Sequence, residues 1–148
     1  MTLERVKTMG EIRVKVKLTN ASDEALNRAR KLAKKKVRIY EADAVVDTGA
    51  VRSVIPAHVL EKLGVGTRGT RVAGYADGRT ESVGLSGGII FDVAGRDTIE
   101  EALVLGDEVL IGQTVLEKLD LLADCANQCL VPNPRHPDQP VSMVRRRM

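Results

Sequence analysis

Ala44-Val45-Val46-Asp47-Thr48-Gly49-Ala50 is the stretch on which the reading of this chain turns. The apolar, β-prone run Ala44–Val46 predicts a buried strand, and that strand ends in a carboxylate. A hydroxyl and a glycine follow, which free the backbone to turn sharply and let another group come close. A strand interior does not present an acid to a core, because an unpaired buried carboxylate is costly. Asp47 is therefore expected at the rim of a rigid element, held there for a purpose.

An acid-Thr-Gly at a strand end is the device of aspartic proteases. Two such carboxylates sit face to face and share one proton, since two like charges so close cannot both ionise. A second segment supports this reading. Val109-Leu110-Ile111-Gly112 is an apolar run closed by a glycine and followed by a short helical pattern, 65 positions after Asp47 at its glycine. With both segments in view, the chain resembles the retropepsin-like (clan AA) aspartic proteases over roughly residues 40–132, in the manner of a single-domain bacterial member.

The resemblance implies a mainly β fold, a retropepsin-like closed β-barrel or acid-protease half with short helices. Because the chain has one Asp-Thr-Gly, it also implies an active site shared by two chains. Asp47 of each protomer would form the dyad, Thr48 would hydrogen-bond across the axis, and Gly49 would let substrate backbone approach. Ala50 would flank the dyad. Many cellular relatives carry a hydroxyl there that can bond the carboxylate, so alanine implies activity reaching toward neutral pH.

The bulk numbers fit one domain. The chain has 148 residues, a net charge of +3, no Trp and three aromatics, so its core must come from Val, Leu, Ile and Ala. No run is long and apolar enough to span a bilayer, and the N-terminus lacks the apolar centre of a signal peptide. Two cysteines do not make a secreted disulfide framework. A cytoplasmic protein with no membrane partner is expected.

Three parts are predicted: a disordered N-terminus over 1–10, the protease-like domain over 11–132, and a loosely held Pro/Arg-rich tail over 133–148. Within the domain, Ile12 to Leu18 alternates as a half-buried strand that Thr19-Asn20 should break. Residues 21–36 read as an inserted helix, a departure from the minimal retropepsin pattern. Ser22 is its expected N-cap, and Ala25, Leu26, Ala29, Leu32 and Ala33 its apolar face. Its basic face (Arg28, Arg30, Lys31, Lys34, Lys35) reads as solvated, because no aromatics interleave as stacking platforms. A nucleic acid or an acidic protein is the weaker alternative partner for that face.

Strands are expected over Val37–Val46 and Val51–Ile55, then a helix opened by Pro56 at its first position and stopped by Gly64. Thr70–Val83 reads as a hairpin turning at Asp77-Gly78. By resemblance this is the flap, with Tyr75, Ala76, Asp77 and Gly78 meeting an extended peptide through backbone groups. Charge at its tip departs from the glycine-rich retroviral pattern. Further strands are expected over Gly84–Val93 and Thr98–Leu105, a helix over Gln113–Leu119, and a last hairpin around Asn127.

Neither His58 nor His136 has a second ligand at metal spacing, so no metal site and no cofactor are expected. Cys125 and Cys129 read as small core residues. The resulting expectation is a homodimeric aspartic endopeptidase acting on a peptide or protein substrate. The alternative is a catalytically silent dimeric module of the same fold that binds peptides or assembles a complex.

Overall fold

The computed structural model describes residues 11–145. The disorder expected over 1–10, and the last three residues of the tail, lie outside that range. The fold is mainly β, a curled half-barrel sheet with three short helices. The sheet has nine strands: β1 (Ile12–Asn20), β2 (Ile39–Val46), β3 (Val54–Ile55), β4 (Thr67–Gly74), β5 (Thr80–Ser86), β6 (Ile89–Val93), β7 (Arg96–Glu100), β8 (Leu103–Val104) and β9 (Leu110–Ile111). Their order across the sheet is β4-β5-β8-β3-β9-β2-β1-β6-β7. A separate hairpin joins β10 (Leu121–Asp124) to β11 (Cys129–Pro132).

β1 is the spine. It pairs antiparallel with β2 on one side and with β6 on the other, and Val16 and Leu18 face inward from it. Leu18, Ile55, Leu63, Ile89, Phe91, Ile111 and Leu119 are fully buried, each burial contributing about 1.5–3 kcal/mol. With Trp absent, branched aliphatics fill this core around the single Phe91. Helices α2 (Ala57–Leu63) and α3 (Gln113–Leu119) close it through Val59, Leu60, Leu63, Val115, Leu116 and Leu119. Gly64 ends α2 in the left-handed region (φ 65°), as its sequence position predicts, while Pro56 is the N-cap and not the first helical residue.

The inserted helix differs from its prediction. Helix α1 spans Ala21–Arg28 and is capped by Asn20, whose Oδ1 accepts the Asp23 N–H at 3.0 Å, so β1 runs straight into it. The face turned inward is not the apolar one. Asp23 is buried and Leu26 is 44% exposed. The reason is a buried polar knot: Asn20 donates to the Leu63 carbonyl at 2.9 Å, and Asp23 binds Arg38 through its backbone N–H and its guanidinium at 2.8–3.1 Å. Hydrogen bonds from Arg38 hold the Asp23 carboxyl below its ordinary value. Lys34–Lys36 form only a single 3-10 turn.

Two predicted strands are each split. Gly84–Val93 divides into β5 and β6 at Gly87-Gly88, and Thr98–Leu105 divides into β7 and β8. In both cases the chain must leave one part of the curled sheet and join another. Between the breaks, the buried Ser86 hydroxyl accepts the Ala102 N–H at 2.9 Å. Of Val51–Ile55, only Val54–Ile55 is strand. Cys125 is exposed and Cys129 half-buried, both as free thiols, so neither is the core residue expected.

The tail is pinned as far as Val141, against the expectation of loose attachment. Asp120, in the left-handed region just after α3, accepts from Asn133 Nδ2 (3.0 Å), His136 Nδ1 (2.6 Å) and the Val141 N–H (3.1 Å). Buried Arg96 donates to the carbonyls of Leu119, Asp120 and His136. The Asn133 hydrogen bond, followed by those of Val141 and His136, lowers the Asp120 pKa from 3.8. A lowered folded-state pKa places this stabilisation above about pH 4, to be lost as pH falls through the folded value. Asp120→Ala is therefore expected to raise limited proteolysis at Arg135 several-fold at pH 7, roughly as acid does to the wild type. Equal cleavage of the two proteins at pH 7 would contradict the pin.

Candidate active site

Asp47 is the first residue beyond β2, and the sheet holds it from below. β9 lies between β2 and β3, parallel to the first and antiparallel to the second. The Val45 N–H reaches the Val109 carbonyl at 3.0 Å, and the Asp47 N–H reaches that of Ile111 at 2.9 Å. The chain from Asp47 to Ser53 thus leaves one side of β9 and returns on the other. Its tip is stitched to the start of α3: the Gln113 N–H donates to Ala50 O at 2.7 Å, and Thr114 donates through both N–H and hydroxyl to Val51 O.

Ser53 and Gly112 form the lock beneath. The Ser53 hydroxyl, 1% exposed, accepts the Gly112 N–H at 2.9 Å. Gly112 is packed so tightly that a Cβ there would lie 2.5 Å from the Arg52 carbonyl carbon and 2.9 Å from Ser53 N. Sequence reasoning found Gly112 through its motif but missed Ser53, Gln113 and Thr114.

Within the loop, Asp47 Oδ1 accepts the Gly49 N–H at 3.0 Å, and the Ala50 N–H turns back to Asp47 O at 3.2 Å. A Cβ on Gly49 would meet that same Asp47 oxygen at 3.3 Å, so glycine leaves the carboxylate room. Asp47 and Ala50 are half-buried, while Thr48 and Gly49 are exposed. Val51 beside them is 70% exposed, an apolar side chain that this single chain leaves uncovered. The loop thus offers one fixed carboxylate at a surface, with small residues around it.

The predicted flap residues lie elsewhere in the sheet. The β4–β5 hairpin is reached from β2 across β9, β3 and β8. Its tip is a tight turn closed by Gly78 N–H to Tyr75 O and Tyr75 N–H to Arg79 O, with Gly78 at φ 88°. Asp77 binds Arg79 at 2.6 Å, Tyr75 donates to Glu81 at 3.2 Å, and the Arg79 guanidinium lies over the Tyr75 ring. These bonds are internal to the hairpin. Tyr75, Ala76, Asp77 and Gly78 are thus brought together with each other, on a hairpin separated from β2 by β9, β3 and β8 in the strand order. Among the described residues, no group of three or more His, Cys, Asp and Glu side chains could hold a metal ion. No helix there is long and apolar enough to cross a membrane.

Compared with solved structures, the chain is similar to viral proteases. It aligns with the foamy viral protease–reverse transcriptase in complex with an RNA/DNA hybrid at a TM-score of 0.47 and 19% identity, over 71% of this chain and 11% of that one. It aligns with the solution structure of simian foamy virus (mac) protease at a TM-score of 0.44 and 16% identity, over 70% of this chain and 90% of that one. No protein-family profile matches the chain, and no curated protein does. Likeness at this level concerns architecture only.

Proposed function

We propose that the protein is an aspartic endopeptidase active as a homodimer. The observation that carries this is the Asp47 loop: one half-buried carboxylate, fixed by Gly49 and by the Ser53–Gly112 lock, beside an uncovered Val51. One carboxylate does not make an aspartic site, because the chemistry needs a base and an acid together. Two copies meeting at this loop supply both. Ionised Asp47 of one protomer takes a proton from water as that water attacks the scissile carbonyl. Protonated Asp47 of the other donates to the carbonyl oxygen. Thr48 is exposed beside each carboxylate, and in this reading it hydrogen-bonds across the axis and holds the two loops together. The β4–β5 hairpin covers the substrate with its backbone groups.

The two-chain site has a kinetic signature. Cleavage of a mixed peptide library, assayed from strongly acidic to neutral pH, should show specific activity per chain that rises with protein concentration and then saturates. The midpoint should match the dimerisation constant from sedimentation. Specific activity independent of concentration in a monomeric protein would overturn the shared site. A stable dimer that cleaves nothing at any pH would instead favour the silent peptide-binding module, for which the charged, internally paired hairpin tip is the supporting feature.

A further inference from the structure

The segment between α1 and β2 carries a charge pattern that the catalytic reading does not use. Residues 28–38 contain seven of the chain's 23 cations and none of its 20 acids, so the remainder of a +3 protein is net −4. Arg28 is bound to Glu24 and Arg38 to Asp23. The other five, Arg30, Lys31, Lys34, Lys35 and Lys36, are exposed and have no ion pair among the described residues. Natural surfaces ordinarily intersperse both signs, and a like-charge run of this density ordinarily stays unstructured because it repels itself.

Here the run is ordered from both ends. At the first, Asn27 Nδ2 donates to Leu32 O at 2.9 Å, the Lys31 N–H donates to Leu26 O, and Arg30 is held at φ 60°. At the second, the buried Asp23 carboxylate grips Arg38. Helix α1 ends at Arg28, so the cations stand on an exposed connecting segment, a ridge of charge, and not on a helix face solvated along its length. Of the acids beside the ridge, Asp23 is taken by Arg38 and Glu24 by Arg28, while Asp92 and Asp97 line one groove together with Lys34. Neither Asp92 nor Asp97 is paired with one of the five cations in the described residues.

We infer that the 30–36 ridge docks the protein on the phosphate backbone of a nucleic-acid duplex. Five unpaired cations, fixed in place and without a single acid among them, suit a partner of repeating negative charge. Unpaired single strands would call for stacking rings, and the segment has none. A lipid surface would call for bulky apolar anchors among the cations. The apolar residues here are the small Ala29 and Ala33 and the half-buried Leu32 and Val37. The ridge precedes β2 and Asp47 follows it, so eight strand residues, roughly 26 Å, separate the two. Docking therefore leaves the catalytic loop free, and the inference stands whether or not the chain cleaves peptides.

The test is fluorescence anisotropy of the full chain on a labelled random-sequence DNA duplex. Wild type should bind, with affinity falling roughly 10²–10³-fold between about 50 and 200 mM salt, the slope for four or five released counterions. Replacing Arg30, Lys31, Lys34, Lys35 and Lys36 with Gln should abolish binding at the higher salt while the circular dichroism spectrum stays unchanged. Lys34→Gln with Lys35→Gln should give an intermediate loss. Gln at Arg145, Arg146 and Arg147, the other basic run, should leave most of the affinity. No duplex binding at the lower salt overturns the inference. So does loss of binding only in the 145–147 variant, or equal or tighter binding to polyglutamate or anionic phosphatidylserine vesicles.

Discussion

Asp47→Asn should abolish the proposed peptide cleavage while leaving the fold, and the proposed dimer, intact. Asparagine has the same shape, and its Oδ1 can keep the Gly49 N–H bond now made by the carboxylate at 3.0 Å, so the loop has no reason to move. What is lost is the ability to take and return a proton. Positioned acid–base groups contribute typically 10²–10⁴-fold, and here the same substitution removes acid and base at once, so a loss of roughly 10³-fold or more is expected. The sharper test is mixing. If wild type and variant are refolded together in equal amounts and pair at random, about a quarter of the dimers carry two Asp47 carboxylates, and activity should fall to about that fraction. A site contained within one chain would leave about half. Activity that follows the wild-type fraction linearly would therefore sink the shared dyad even if Asp47 proved essential.

The parts of the fold legible in the sequence were those where local chemistry and tertiary demand agree. Alternation in Ile12–Leu18 gave β1, and Gly64 stopped α2 where its left-handed backbone requires glycine. Gln113–Leu119 formed the helix its period predicts. The failures have a common cause, a buried polar group that binds far along the chain. Asn20 was a local alternative to Ser22 as the cap, three residues before Asp23, but nothing local shows that Asn20 will also reach Leu63, or that Asp23 will turn inward to hold Arg38, 15 residues away. With those bonds made, Leu26 is exposed, and the helix ends at Arg28, just before Arg30 enters the left-handed region and the Lys31 N–H turns back to Leu26 O. The tail misled in the same way: proline content suggested a loose end, while Arg96 and Asp120 collect its carbonyls and amides. At the candidate site, Asp47 and Gly112 were legible because each is the unusual residue of its own stretch. Ser53 was not, since its role is defined by a partner 59 residues away.

Gly112→Ala should have the largest effect on stability of any single methyl group added to this loop. Its backbone is extended (φ −90°, ψ 175°), so the conformation itself tolerates alanine, and the cost is entirely one of space. The new Cβ would sit 2.5 Å from Arg52 C, 2.6 Å from Arg52 O and 2.9 Å from Ser53 N. All three are backbone atoms, so no side chain can swing away to make room. Relief requires β9 to move from β3, which strains the single Val54–Leu110 register and stretches the Gly112–Ser53 bond. Overpacking of this kind costs about 3 kcal/mol, which in a chain of this size lowers Tm by roughly 6–12 °C. The displacement is also passed upward. β9 carries the Asp47 backbone through Ile111, and the residues after Gly112 hold Ala50 and Val51, so the carboxylate would lose its fixed position as well. Gly49→Ala makes the control: its Cβ meets only the Asp47 side chain at 3.3 Å, so it should disturb the site with little loss of Tm. Equal Tm losses in the two variants would show that the Gly112–Arg52 contact relaxes freely, and that the lock beneath Asp47 is looser than its packing implies.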